Sequence, residues 1–299
     1  MSHVLAITAI LFVILGISRC DEQQCKANED KDWYFDNNLS NGPDGWGEKY
    51  NDCQGTSQSP IDIQTDDVEP IEDSEGLQLK DYDEPITKVM IENKGYTVKV
   101  TPNDDVERSV TLDGVPYNLV AFFFKWGNKS INDDEEATIT PGSDHKIDGK
   151  QYAMEMQIEH VNEKEDKVII AVLFDDTEDS NPTIEAIQSP IEKYKYLDDT
   201  YDGDLEEDYS TCIKLSDVVE NGSPYFQYNG SLPLPPCTEN IIWLILKNPQ
   251  TASTGQISKF QDLYSVKESD ATGDENNACH IVDNYRPIQE LNDRTVSSG

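Results

Sequence analysis

Short runs of β-type residues recur along this chain from about residue 60 onward, and they constrain its fold more than any other feature. The central runs are apolar almost throughout, which is typical of strands buried on both faces. Clusters of Gly, Pro, Asn and Asp separate the runs and mark turns. Long helical periodicity is scarce, and the best short helices are predicted over residues 181–197 and 255–266. The pattern predicts one β-rich domain with a core from about residue 30 to 295.

The run at residues 119–127, "LVAFFFKWG", carries the most unusual residues of any predicted strand. Successive side chains of a strand point to opposite faces of its sheet. A strand here can therefore bury Phe122 and Phe124 on one face, while Phe123 and Lys125 point to the other. The environment of Phe123 and Lys125 then becomes the central question about function.

The N-terminal sequence predicts a secretory signal peptide over residues 1–20, with cleavage after about residues 18–20. Its apolar run from Val4 to Ile17 is too short to span a bilayer comfortably. The mature domain is then expected to cover residues 21–299. No later stretch reaches the length of a membrane span, so we expect a protein that is secreted into the extracellular space.

Cysteines and glycosylation sequons agree with an extracellular location. None of the six cysteines forms a Cys-x-x-Cys pair, so disulfides are expected rather than a zinc knuckle. The sequence alone does not determine how Cys25, Cys212 and Cys279 pair. Predicted N-glycosylation sites, each in an Asn-x-Ser sequon, are Asn38, Asn128, Asn221 and Asn229.

The chain is strongly acidic, with 59 Asp and Glu residues against 23 Lys and Arg residues and a formal net charge of −36. Such a surface repels nucleic acids, whose binding needs clustered basic residues. The acidic residues occur in bursts, for example over residues 197–209. These bursts have two interpretations: solvated loops that keep a secreted protein soluble, or weak surface binding of calcium. The spacing of an EF-hand is absent, so a calcium site would be diffuse.

Five motifs, in their order and spacing, resemble the α-class carbonic anhydrases across nearly the whole mature chain. They are "GWGEKY" at 45–50, "GTSQSPIDI" at 55–63, "GSDHKIDGKQYAMEMQIEHVN" at 142–162, "NGSLPLPPCTENIIW" at 229–243 and "VDNYRPIQELNDR" at 282–294. The resemblance implies a single domain with a large central, mainly antiparallel twisted sheet and a zinc site in a cone at its centre. It also implies a disulfide between Cys53 and Cys237.

The zinc ligands of the family are three neutral histidines, and the resemblance places none of them in this chain. Three imidazoles hold Zn²⁺ and leave a fourth position for a water whose pKa falls to about 7. The matching positions here are Phe123, Lys125 and Gln157. A phenyl ring cannot coordinate a metal, and an ammonium repels one. This departure from the family pattern implies that there is no metal site, no catalytic residue and no cofactor.

Other positions that the resemblance assigns to catalysis have also changed. Pro233 and Leu234 stand where the family has two threonines, of which the first orients the zinc-bound hydroxide. Tyr96 replaces the histidine that shuttles protons, and Ala121 replaces a glutamine beside the ligands. Among residues around the ligands, Asp144 replaces a glutamate and Glu155 is retained.

Two further hypotheses concern the charged residues and histidines near this site. Lys125 is expected to pair with Glu159 in the vacated cone. The alternative is that one or both of these side chains reach solvent at the mouth of the cone. Burying such a pair is costly, so both outcomes remain open. His145 and His160 match positions outside the ligand set and are expected to be hydrogen-bonded structural residues.

The combination of a retained scaffold and an altered site resembles the acatalytic carbonic-anhydrase-related proteins. The expected function is that of a secreted, catalytically inactive protein that acts by binding an extracellular protein or a mineral or matrix partner. Calcium ions on the acidic surface are a second expected partner. The alternative is an active or residual carbonate dehydratase, which hydrates CO₂ at a non-standard metal site.

Overall fold

The computed structural model describes residues 25–29, 31–131, 137–271 and 279–299. The predicted signal peptide at residues 1–20 lies outside them. The strands of this part are β1 (Asp62–Ile63), β2 (Glu69–Pro70), β3 (Gln78–Lys80), β4 (Lys88–Asn93), β5 (Val98–Pro102), β6 (Ser109–Leu112), β7 (Val115–Trp126), β8 (Lys129–Ile131), β9 (Ala137–Ile139), β10 (Lys146–Ile147), β11 (Lys150–Gln151), β12 (Met154–Val161), β13 (Lys167–Thr177), β14 (Thr200–Asp204), β15 (Tyr225–Ser231), β16 (Glu239–Leu246), β17 (Gln250–Ser253) and β18 (Ser297–Ser298).

The helices are short and lie outside the sheet. They are α1 (Lys26–Glu29), α2 (Trp46–Lys49), α3 (Pro182–Lys193), α4 (Leu205–Tyr209) and α5 (Thr254–Gln261), with 3₁₀ turns at Pro43–Gly45, Asn51–Gln54, Thr65–Asp67 and Leu215–Asp217. The two helices predicted from periodicity are α3 and α5, and both end earlier than predicted. Asn181 caps α3 through its side chain, and Ser253 and Gln256 form a capping box on α5.

Thirteen of the described strands form one large sheet, which confirms the predicted fold class. Its main path runs β14–β4–β5–β7–β12–β13–β16–β15–β18–β2, with β3, β6 and β17 attached to it. Most neighbours are antiparallel, whereas β13 pairs in parallel with β16 and with β17. Two-residue Asp-Gly turns, Asp113–Gly114 and Asp148–Gly149, close the β6–β7 and β10–β11 hairpins. Their positive φ angles are those of hairpin turns that match the twist of the strands.

The sheet buries apolar side chains on both faces. The larger core holds Phe122, Phe124 and Met156 together with residues of α3 and α5. The smaller core lies on the other face and contains Ile169, Trp243 and other residues of β13, β15 and β16. The prediction that Phe122 and Phe124 share a buried face is confirmed, since neither residue is exposed to solvent.

Two disulfides join distant parts of the described chain. Cys53 is bonded to Cys237, the pair that the family resemblance implies. The second bond, Cys25–Cys279, joins residues 254 positions apart and was not predicted. Cys212 is a free thiol in the described structure. Among the residues described, no helix is both long and apolar enough to cross a membrane.

Candidate functional site

The register of β7 and β12 brings Phe123, Lys125 and Gln157 together on one face of the sheet. Phe123 lies directly opposite Gln157, and Lys125 lies directly opposite Glu155. Residues that oppose each other across a strand pair point to the same face, so these four side chains share one surface. The structure thus gathers the three positions that the family resemblance assigns to zinc ligands.

Lys125 lies at the centre of this surface and is only 1% exposed. Its Nζ donates a hydrogen bond to the Asn284 carbonyl oxygen at 3.0 Å and lies 3.4 Å from Asp144 Oδ2. The ammonium also lies 4.1 Å from the centre of the Phe35 ring, a cation–π contact in a desolvated setting. A carbonyl, a carboxylate and an aromatic face therefore surround this cation.

The predicted Lys125–Glu159 pair is wrong. Lys125 is buried, whereas Glu159 is partly exposed, as the alternative allowed for one of the two side chains. Glu159 instead pairs with Lys167 across the β12–β13 hairpin. Glu159 lies opposite Ala121, which is four residues from Lys125 along β7 on the same face. Asp144 enters the site from the segment before β10, so it can approach the Lys125 ammonium where Glu159 cannot.

Burial shifts the pKa values of Lys125 and Asp144 in opposite directions. Desolvation lowers the pKa of Lys125 and raises the pKa of Asp144, because each charged form loses contact with water. The opposite charge of the partner counteracts both shifts. Asp144 also accepts hydrogen bonds from Gln157 Nε2 at 2.7 Å and from the Arg286 backbone N–H at 2.8 Å. These two donors and the ammonium favour the ionised carboxylate.

Glu155 and His145 extend the buried polar contacts around Lys125 and Asp144. Glu155 accepts hydrogen bonds from the His145 backbone N–H at 2.8 Å and from Gln157 Nε2 at 2.8 Å, and its Oε1 lies 2.9 Å from His145 Nδ1. Burial alone would raise the pKa of Glu155, but attraction to His145 and these hydrogen bonds hold it below its ordinary value. His145 Nε2 continues the network to the Tyr228 hydroxyl at 2.7 Å, which donates to Ser59 Oγ. His145 is hydrogen-bonded as expected.

An aromatic cluster covers the Lys125 side of the polar network. Phe35 and Trp46 are buried and lie 5.4 Å apart between ring centres, and Trp33 packs against both. Tyr96, at the position that the resemblance assigns to a proton-shuttle histidine, lies 4.7 Å from Trp33 between ring centres. Leu234 and the Cys53–Cys237 disulfide complete the cluster. Aromatic rings from the N-terminal segment therefore cover the polar site.

Arg286 connects the aromatic cluster to the segment that precedes β1. Its Nη1 donates to Gln58 Oε1 at 2.8 Å and to the Ser59 carbonyl at 2.9 Å, while its guanidinium stacks near Trp46. Arg286 is 3% exposed, so these contacts form in a dry interior. The planar guanidinium serves several acceptors at once, a geometry that an ammonium cannot provide.

Two contributors to the site were missed by the sequence reasoning: Asn284 and Phe35. No sequence signal marks Asn284 as a partner of Lys125, because its backbone carbonyl makes the contact. His160 was predicted correctly as a structural residue, since its Nε2 lies 2.5 Å from the Tyr82 hydroxyl in the larger core. Of the sequons, Asn38, Asn221 and Asn229 are exposed and Asn128 is half-buried. Their glycosylation stays a prediction.

The residues gathered at the site do not fit the zinc ion that the family resemblance implies. A phenyl ring, an ammonium and an amide stand at the three positions that the resemblance assigns to zinc ligands, and the ammonium is paired with Asp144. Zinc prefers imidazole, thiolate and carboxylate ligands. Within the described ranges, no group of three or more His, Cys, Asp or Glu residues is arranged to hold a metal ion.

Comparison with known proteins places the chain in a family. Residues 41–299 match the model of the eukaryotic-type carbonic anhydrases. Carbonic anhydrase 3 of Bos taurus is 31% identical over 279 residues, which cover 90% of this chain and 98% of the relative. Carbonic anhydrase 3 of Homo sapiens is 29% identical, with 89% and 97% coverage, and carbonic anhydrase 7 of Mus musculus is 28% identical, with 86% and 94% coverage. The chain belongs to the eukaryotic-type carbonic anhydrase family.

Proposed function

We propose that this chain is a secreted, non-catalytic member of the carbonic anhydrase family that acts by binding an extracellular partner. The observation that supports this proposal best is the position of the Lys125 ammonium. It lies between the Asn284 carbonyl and the Asp144 carboxylate, beneath the Phe35 ring. A fixed positive charge at this place disfavours a divalent cation in the same volume.

Two further positions that the resemblance assigns to catalysis support the same proposal. Pro233 stands where the resemblance puts the threonine that orients the hydroxide, and proline offers neither a hydroxyl nor a backbone N–H. Tyr96, at the shuttle position, packs into the aromatic cluster, and burial raises its pKa above the ordinary value of a tyrosine. Such a group exchanges protons poorly near neutral pH.

Secretion is supported by the N-terminal apolar run and by the two disulfides, which persist in an oxidising compartment. The acidic surface supports a partner that is a cation or carries cationic groups. Calcium or a mineral surface is one candidate, and a basic protein surface is the other. A net charge of −36 would attract both.

Metal analysis combined with activity measurement tests the proposal. The protein is purified from the medium of animal cells, dialysed against zinc and calcium, and analysed by mass spectrometry, with CO₂ hydration assayed in parallel against an active carbonic anhydrase. We expect no bound zinc and no hydration above the buffer rate. One zinc per chain together with chelator-sensitive CO₂ hydration would contradict the proposal and support the enzyme alternative.

A variant with all three histidines supplies the matched control. In F123H/K125H/Q157H, three imidazoles replace the phenyl, ammonium and amide groups on the same face of the sheet. We expect this variant to bind zinc, because the register of β7 and β12 already places the three positions together. Failure to bind zinc in a folded triple variant would show that these positions do not converge as described.

A further inference from the structure

The acidic burst at residues 197–209 contains two tyrosines, Tyr201 and Tyr209, that the proposed function leaves unexplained. Seven of these thirteen residues are Asp or Glu, and none is basic. Tyr209 directly follows Glu206, Glu207 and Asp208. An acidic run by itself identifies no site, so the two tyrosines have to be distinguished by their surroundings in the structure.

Tyr201 is unsuited to any reaction at its hydroxyl. It lies in β14, is only 5% exposed, and donates a hydrogen bond from its hydroxyl to Asp208 Oδ2 at 2.8 Å. Its ring is also held between Tyr194 and Tyr209. A modifying enzyme would have to break this hydrogen bond and extract the ring from the interior.

Tyr209 has the opposite properties. It is the last residue of α4, its ring is half-buried against Tyr201 with ring centres 5.4 Å apart, and its hydroxyl makes no hydrogen bond with the described residues. Glu206 and Glu207 are exposed on the same short helix. A five-residue helix has little stability of its own, so this segment can open locally to enter an enzyme cleft.

We propose that Tyr209 is a site of tyrosine O-sulfation, selected by its unbonded hydroxyl and by the exposed carboxylates that precede it. The inference rests on the secretion that the proposed function includes, because the modification takes place in the secretory pathway. Transferases that use a phosphosulfate donor hold this anion with basic side chains, and an acidic acceptor segment binds to the same positive surface.

The reaction is a balanced group transfer. The phenolic oxygen of Tyr209 attacks the sulfur of a phosphosulfate anhydride, and a new oxygen–sulfur bond forms as the bond between sulfur and the bridging oxygen breaks. The nucleoside bisphosphate leaves, and the phenolic proton passes to a base of the transferase. The product is a sulfate ester with a permanent negative charge.

The modified residue would present a defined anion on an already acidic surface. Lys193 is the last residue of α3, and its positive charge acts on the Tyr209 hydroxyl. A sulfate ester accepts several hydrogen bonds from arginine or lysine. Sulfation would therefore strengthen the binding of a basic protein surface and would give the diffuse negative charge one specific contact point.

Peptide-level mass spectrometry of the secreted protein tests this assignment. Animal cells express the full chain in radioactive sulfate, N-glycans are removed enzymatically, and the proteolytic peptide that contains Tyr209 is analysed. We expect one sulfo group on Tyr209, resistant to phosphatase. The Y209F variant should lose the label from this peptide and keep its melting temperature, since no hydrogen bond is lost. The Y201F variant should keep the label.

Each contrary result has a distinct meaning. Secreted protein without sulfate on this peptide, label that persists in Y209F, or a phosphatase-sensitive group would each overturn the inference and leave the proposed function intact. Protein that stays inside the cell would overturn secretion and the sulfation that depends on it. The E206Q/E207Q variant should be sulfated several-fold less than the wild type, and equal sulfation would contradict the role given to these carboxylates.

Discussion

Replacing Lys125 by methionine is expected to destabilise the protein, although methionine fills a similar volume and is apolar. The substitution removes the ammonium and leaves Asp144 in place, 1% exposed and without a cation. Two hydrogen-bond donors to Asp144 remain, from Gln157 and from the Arg286 backbone. The Asn284 carbonyl, in turn, loses the donor supplied by Lys125.

The magnitude follows from the separation of the charges. At 3.4 Å and an effective dielectric constant of about 20, the attraction between the two charges is about 5 kcal/mol. Removing one partner forfeits this attraction, but the desolvation penalty of the other charge remains. Protonation of Asp144, whose pKa burial already raises, limits the loss. We expect the free energy of unfolding to fall by about 3 kcal/mol.

A double-mutant cycle in chemical denaturation measures the coupling directly. The wild type, K125M, D144N and K125M/D144N are compared, and the double variant should be more stable than the sum of the single effects by about 2 kcal/mol. K99M is the control. Lys99 of β5 lies beside Phe123 of β7, but its side chain is partly exposed and its Nζ lies 3.8 Å from Glu92 Oε2. Its loss should be below about 1 kcal/mol. A K125M protein as stable as the wild type, with no coupling, would refute this account of the site.

Three further predictions concern other buried groups. Burial lowers the pKa of His160 from 6.5 to about 4. Between these two pH values, His160 is protonated in the unfolded chain but not in the folded protein. Stability should therefore fall on acidification by up to about 3 kcal/mol, and H160Q should lack this part of the pH dependence in urea titrations. The R286K variant should lower the free energy of unfolding by about 2 kcal/mol, because an ammonium lacks the planar geometry with which the guanidinium bonds Gln58 and Ser59. An unchanged midpoint of chemical unfolding would contradict a stabilising role for these two hydrogen bonds. Removing the Cys25–Cys279 bond in C25S/C279S should lower the free energy of unfolding by about 2–5 kcal/mol, measured by thermal unfolding. A variant as stable as the wild type would contradict this prediction.

The sequence predicted most of the fold because its signals are local. Alternation along β7 predicted correctly that Phe122 and Phe124 face the core and that Phe123 and Lys125 face away from it. The family motifs predicted the sheet and the family membership. The two best helical patterns correspond to α3 and α5, and the structure ends both helices earlier because the pattern of apolar residues does not fix where capping occurs.

The partners of Lys125 were not predictable in the same way. Asp144 and Asn284 reach Lys125 from segments outside the sheet, and Asn284 lies 159 residues away along the chain. The Glu159–Lys167 pair, in contrast, could have been found from the sequence, since the two residues flank the β12–β13 turn and lie diagonally across the hairpin. The Cys25–Cys279 bond had no sequence signal, because several pairings of the remaining cysteines were compatible with the spacing.

Strand β14 ends the main path of the large sheet and pairs only with β4 along that path. Its outer edge pairs with no other strand of the part of the chain that the structure describes. The strand and the residues just beyond it carry Asp202, Asp204, Glu206 and Glu207, whose charges would repel the same edge of a second molecule. Self-association of the protein should therefore depend on the pH and on the cations in solution. Acid or bound cations that neutralise these carboxylates would remove the barrier and allow two sheets to join edge to edge.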